Sequence, residues 1–309
     1  MKKIAVGIDF SPESTLAGHQ ALALARHVGA EVVLVHAQPV VELPQVGPEP
    51  EEQVLAAIDT YRSLLAREIE ESRAKLAELG RSLACHGVEI SQALVEGPTD
   101  EAICAAALEL AADLLVVGTH GRTGLRWFFL GSVVQRIVRH SPVDVLVARR
   151  DDAGEGGFRS ALVATDFSPA SLRALDRALE LVAPSGSIDV VHCLSFRSIG
   201  LWNKVAVALD LDLQAALEQS VKAQGQALLA PRRRPGGPAL EFHLLREPPA
   251  PAIVHWLETR PVDLAVLGSH GRKGFRRAVL GSVAEAIVGR APCSVLVARA
   301  SAAVTSSTP

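Results

Sequence analysis

Asp113 to Arg149 reads D-L-L-V-V-G-T-H-G-R-T-G-L-R-W-F-F-L-G-S-V-V-Q-R-I-V-R-H-S-P-V-D-V-L-V-A-R, and a near copy runs from Asp263 to Arg299. Leu114 to Val117 is a short apolar run that suits a buried parallel strand, and Gly118 ends it where the backbone can turn freely. A loop follows. Gly131 and Ser132 then stand directly before Val133, Val134, Ile137 and Val138, a spacing that predicts a helix starting near Ser132 with its apolar face on a sheet. Strand, glycine loop and helix start together suit an anion, because unpaired amides and the positive end of the helix dipole converge there.

The duplication sets the organisation. Asp-Phe-Ser-Pro occurs at Asp9 to Pro12 and again at Asp166 to Pro169, and the glycine loops start at Gly118 and Gly268. A chain of 309 residues therefore holds two copies of one fold, expected at 1–150 and 158–300. The polar stretch Arg149 to Gly157 joins them, and Ser301 to Pro309 has too little apolar surface to order itself.

In the first copy strands are expected at Ile4 to Ile8, Glu31 to His36, Val88 to Val95, Leu114 to Val117 and Val143 to Ala148. Between them lie helical patterns, the longest carrying Val54, Ile58, Tyr61, Leu65, Ile69, Leu76 and Leu79 on one stripe. The second copy repeats the plan, with strands at Ala161 to Ala164, Ile188 to Cys193, Leu240 to Leu245, Leu264 to Leu267 and Ser294 to Ala298, and a long helix from Asn203 to Leu229. Such alternation implies an α/β fold: two tandem doubly wound, five-stranded parallel sheets with right-handed crossovers. Ligands of these sheets sit beyond the carboxyl ends of the strands, where strand order reverses. Strand order 3-2-1-4-5 would set Asp9 and Gly118 across that crevice.

Composition excludes several classes. A formal charge of -3 gives no general attraction for nucleic acid or anionic membrane, and Arg232-Arg233-Arg234 reads as a solvated loop. Cys85, Cys104, Cys193 and Cys293 lack C-x-x-C spacing, which argues against a zinc site or redox pair. Asp9 cuts the first apolar run too short for a signal peptide, and no uncharged apolar segment is long enough for a membrane span. The expectation is a soluble cytoplasmic protein.

The loop signature is G-x2-G-x9-G-S: Gly118, Gly121, Gly131 and Ser132, then Gly268, Gly271, Gly281 and Ser282. With Asp-Phe-Ser-Pro after the first strand, the chain resembles the universal stress protein family in its tandem form, over both halves from end to end. That resemblance implies an adenine nucleotide alpha-hydrolase-like architecture and, in the nucleotide-binding members, ATP, with magnesium as a candidate companion. It implies that Asp9 and Asp166 approach the adenosine part beside the strand ends at Val117 and Leu267. Gly118, Gly121 and the amides of Gly131, Ser132 and Val133 would take the phosphates, as would Gly268, Gly271, Gly281, Ser282 and Val283 in the second copy. It also implies pairing of the domains through their last strands, here an intramolecular pseudo-dimer, with a homodimer of whole chains left open.

Competing readings exist for each residue. Arg122, Arg126, Arg272, Lys273, Arg276 and Arg277 could screen a triphosphate or be ordinary loop charges. Asp9 and Asp166 could cap the helices they precede, and Gly118 and Gly268 could serve tight strand exits. His120 and His270 read as solvated loop residues. Glu247 stands where the first copy has Gly97, so the second site is expected to be narrower.

No Gly-Lys dipeptide is present, so the P-loop is absent; Ser132 lacks the second glycine of a nucleophile elbow, and no H-E-x-x-H helix occurs. Any ATP hydrolysis should be slow. The expectation is a stress-response binding and signalling protein, against two alternatives: a nucleotide-free interaction module and a nucleotidyl-transfer enzyme.

Overall fold

The structure, a computed structural model, describes residues 1–38, 52–84, 87–119, 130–150, 157–194, 213–270 and 280–299. The first half runs β1 (Lys3–Gly7), α1 (Pro12–Val28), β2 (Glu31–Gln38), α2 (Glu52–Leu83), β3 (Ile90–Glu96), α3 (Thr99–Glu109), β4 (Leu114–Val117), α4 (Ser132–His140) and β5 (Asp144–Val147). The second runs β6 (Phe158–Ala164), α5 (Pro169–Leu181), β7 (Val182–Cys193), α6 (Leu213–Leu229), β8 (Ala239–Leu245), α7 (Pro249–Thr259), β9 (Leu264–Gly268), α8 (Ser282–Arg290) and β10 (Ser294–Ala298).

Each half has the expected strand order, and the two are continuous. Among the described residues ten strands form one sheet, β3-β2-β1-β4-β5-β10-β9-β6-β7-β8. Every pairing is parallel except the seam, where β5 meets β10 antiparallel with Val145 opposite Val297, Leu146 opposite Leu296 and Val147 opposite Val295. β5 is buried along its whole length. Both of its faces are covered, as a parallel-type strand between two helical layers requires.

One apolar layer packs α3, α4, α7 and α8 on a face of the sheet, and the other packs α1, α2, α5 and α6 on the opposite face. Both layers contain residues of both halves, so the core runs across the seam. The second half departs from expectation at its start. β6 begins at Phe158 and β7 at Val182, with a register shift between Phe158 and Ser160 that accommodates one irregular step of pairing. The expected helix beginning at Asn203 is described from Leu213.

Candidate functional site

The site grows from the carboxyl ends of β1 and β4. Ser11 caps α1 by accepting from the Ser14 amide (3.1 Å), and Pro12 occupies the first turn, where its missing N–H costs nothing. Asp9 is therefore not the cap. Its Oδ1 accepts from the Ser11 amide (3.0 Å) and the Ser11 hydroxyl (2.5 Å), which fixes the cap residue itself. The second half repeats the device, with Ser168 capping at Ser171 and Asp166 Oδ1 accepting from the Ser168 amide (3.0 Å).

Between each aspartate and serine sits a phenylalanine in the left-handed region, Phe10 at φ 63° and Phe167 at φ 61°. That conformation costs a non-glycine residue about 1–2 kcal/mol. The turn holds it, and so does a ring contact: Phe10 lies 4.5 Å from His36 and Phe167 lies 4.9 Å from His192 between centroids. Each histidine is in turn fixed by Nδ1, to the Ile8 carbonyl at 2.7 Å and to the Thr165 carbonyl at 2.8 Å. The same strain kept twice marks a turn whose shape matters.

Gly118 has a packing reason of its own. A Cβ there would lie 2.7 Å from the Glu13 carbonyl carbon and oxygen, so the exit of β4 touches the first turn of α1 backbone to backbone. Gly268 makes the same approach to Ala170 and Ser171. The third glycine behaves differently. Gly131 and Gly281 have φ of -57° and -62°, which any residue adopts. A Cβ on Gly281 would meet nothing among the described residues closer than the Ser269 carbonyl at 3.5 Å. Its backbone is open to close approach.

These glycines start helices that lack a side-chain cap. The Gly131 amide donates to the Thr119 carbonyl (3.0 Å) and the Gly281 amide to the Ser269 carbonyl (2.9 Å), which ties each helix start to the neighbouring strand exit. Among the described residues no side-chain hydrogen bond caps α4 or α8, whereas α1 and α5 each have one. Ser132 and Ser282 are exposed, and Val133 and Val283 are half-buried beside them. Asp9, Val117, Gly118, Gly131, Ser132 and Val133 are thus joined by direct contacts or chain neighbours, and so are Asp166, Leu267, Gly268, Gly281, Ser282 and Val283. The geometry fits an anion at the uncapped amides, with the aspartate turn at the other side of the crevice. Gly121, Arg122, Arg126, Gly271, Arg272, Lys273, Arg276, Arg277 and His120 lie outside the described residues, as does Cys85.

The halves differ at the rim. Gly97 adopts φ 138°, a conformation closed to most residues, while Glu247 is exposed and has no positive φ. Arg246, next to it, pairs with Glu218 at 2.7 Å. His270 Nδ1 lies 3.0 Å from the Ser269 hydroxyl, a contact within the strand exit itself. Arg232 is held by Asp176 (2.9 Å) and Arg233 reaches the Leu240 carbonyl, so two of the three consecutive arginines serve the fold. No described helix is long and apolar enough to cross a membrane.

The universal stress protein family model matches residues 1–149 and again 157–299. A universal stress protein of Mycolicibacterium smegmatis is 28% identical over 304 residues, covering 96% of each chain. A solved universal stress protein of Archaeoglobus fulgidus superposes with a TM-score of 0.65 at 20% identity, over 96% of this chain and 98% of its own. A further universal stress protein, solved in complex with cAMP, matches 48% of this chain and 96% of its own at 25% identity with a TM-score of 0.35. With the family pattern present twice over nearly its whole length, the chain belongs to the universal stress protein family, as a tandem two-domain member.

Proposed function

We propose that this protein binds ATP, accompanied by magnesium on the phosphates, at two corresponding sites, the second narrower at its rim, and acts as a stress-response signalling component rather than as a fast enzyme. The two units, 1–150 and 158–300, would form a pseudo-dimer whose conformation or partners depend on occupancy; the antiparallel seam supports that reading. A compartment without membrane association, the cytoplasm, suits it.

One observation carries the proposal. Each half begins a helix at an uncapped glycine, tied to a strand exit and next to a strained aspartate turn. Asp9 and Asp166 would orient the ribose, with Val117 and Leu267 beside the base. The amides of Gly131, Ser132, Val133 and of Gly281, Ser282, Val283 would receive the phosphates, with Gly121, Arg122, Gly271 and Arg272 completing the loops.

Isothermal titration with ATP and magnesium tests this. Saturable binding that falls in Gly131→Val and falls again in the Gly131→Val/Gly281→Val double variant is expected. Absence of binding by the parent protein, or unchanged affinity in the double variant, would reject the assignment.

A further inference from the structure

On the face of the sheet that carries α7, β7 and β8 bring three metal-ligating side chains together. Asp189 and Glu241 are register partners, and His243 lies two residues further along β8 on the same face. Each offers one donor atom, and the three atoms lie within 4.8 Å of one another. His243 Nε2 is 2.8 Å from Asp189 Oδ1 and 3.9 Å from Glu241 Oε2. We infer that Asp189, Glu241 and His243 form a binding site for a first-row transition-metal dication, of which zinc is the reference case.

The internal repeat supplies the control. Sheet register makes Val33, Ser91 and Ala93 the first-half counterparts of Asp189, Glu241 and His243, and Ala106 the counterpart of Trp256. Val33 and Ala106 are buried apolar residues in the first half. The second half thus places a carboxylate and an imidazole where its twin has a plain apolar contact. A carboxylate under a helix is costly unless partnered. Asp189 and His243 alone would meet that need by their hydrogen bond. Glu241 is not required for it, yet it adds a third donor.

A second observation points to something bound beside them. Trp256 on α7 is 6% exposed, and its ring centroid is 4.8 Å from that of His243. Its indole Nε1 is buried and makes no hydrogen bond among the described residues. Arg260 covers the ring at 3.5 Å. A buried donor without an acceptor calls for an ordered water or ion. The hydration shell of a bound dication would supply that acceptor.

The donor set suits the chemistry. One imidazole and two carboxylates bind zinc, manganese, cobalt or nickel at about 2.0–2.2 Å, which puts donor atoms roughly 3.4 Å apart in a tetrahedral arrangement. The two measured separations, 2.8 and 3.9 Å, bracket that value. β8 is the last strand of the sheet, and the Glu241 side chain is 75% exposed. Water can therefore complete the coordination from the edge.

The test uses the full chain, free of any polyhistidine tag and stripped with chelator, in a Trp127→Phe/Trp202→Phe background that leaves Trp256 as the sole indole. Cobalt chloride is expected to quench Trp256 fluorescence to saturation, zinc chloride to compete, and calorimetry to give one ion per chain. His243→Ala and Asp189→Asn should weaken binding by about tenfold or more. Glu241→Gln, on an exposed side chain that the fold does not need, should weaken it with an unchanged circular dichroism spectrum. No saturable one-ion binding in the parent, or equal binding by Glu241→Gln and the parent, would overturn the inference. Gly281→Val should leave zinc binding intact, so this result is separable from the nucleotide reading.

Discussion

A single methyl group distinguishes the first glycine of the signature from the third. Added at Gly118, it would meet the Glu13 main chain at 2.7 Å, and main chain cannot swing aside. Gly118→Ala is expected to cost about 1–3 kcal/mol, as over-packing does, and to lower the urea midpoint accordingly. Added at Gly281, it would find ordinary contact distance, so Gly281→Ala should change stability by no more than about 0.5 kcal/mol. Any loss of nucleotide affinity in Gly281→Ala then reports binding rather than unfolding. The cysteines give a second contrast. Burial pushes the Cys104 thiol up to about 11 and the Cys193 thiol up to about 12, the latter with help from the Glu247 charge. At pH 8 both remain protonated and poorly nucleophilic. Iodoacetamide followed by mass spectrometry should label them slowly in the native protein and readily in urea.

At the scale of elements, helix starts decide both shape and chemistry. Ser11→Ala removes the α1 cap and the hydroxyl that donates to Asp9 together, leaving the backbone amide of residue 11 on Asp9. It is expected to cost about 1 kcal/mol in chemical unfolding and also to reduce ATP affinity, because the aspartate loses one of the hydrogen bonds that orient it. α3 and α4 are joined by Arg136 and Asp100 at 2.8 Å. The hydrogen bond from Arg136 holds the Asp100 carboxyl below its ordinary value, against the opposing effect of burial. A depressed carboxylate contributes stability above its unfolded value, about 3.9, and loses it as pH falls through the lower folded value. The stability gap between the parent and Asp100→Asn should therefore be present at pH 7 and close below pH 4, as urea titrations at both pH values would show. Strand positions and the apolar stripe of the long helix were legible in the sequence, because hydrophobic period is a local property. The contact between Gly118 and Glu13 was not, since nothing in either segment names its partner. The roles of Asp9 and Ser11 were legible only in part: an aspartate and a serine two apart can each cap, and the turn geometry decides which does.

Across the whole molecule the seam uses two arginines reciprocally. Arg149 donates to the Val288 carbonyl at the end of α8, and Arg299 donates to the Val138 carbonyl at the end of α4. Each half thereby satisfies carbonyls at the last turn of the other's helix, which also favours cations there. No sequence pattern announces this, because the partners are brought together only when β5 and β10 pair. The seam is not symmetric, however. Asp144 on β5 is 1% exposed and is held by Arg177 (2.7 Å), Arg173 (3.3 Å) and the Arg299 amide (2.7 Å). At the mirrored position Ser294 on β10 meets Gln20 at 3.1 Å. Asp144→Ala takes the buried carboxylate from the half-buried Arg173 and Arg177, the latter keeping Glu180 at 2.6 Å, and leaves the Arg299 amide without its acceptor, so it is expected to cost about 1–3 kcal/mol in urea unfolding.

This asymmetry also predicts how the halves choose partners. β5 reads D-V-L-V and β10 reads S-V-L-V, so in apolar shape either strand could pair with a copy of itself. Two first halves would bury Asp144 against Gln20 with no guanidinium, while two second halves would set Arg177 against Ser294 with Glu180 of the same helix as its remaining carboxylate. Only the mixed pair gives the buried Asp144 a guanidinium, and an unpaired buried charge is a strong penalty against the wrong partner. Residues 1–150 and 158–299 produced as separate chains and mixed in equal amounts should form the mixed dimer in excess of roughly tenfold over either self-pair, a bias of about 1.4 kcal/mol, measurable by native mass spectrometry. Asp144→Ser combined with Arg177→Gln makes both sides of the seam alike and should bring the three dimers towards statistical proportions. A mixture that is already statistical in the parent sequences would show that the charge pair does not select the seam.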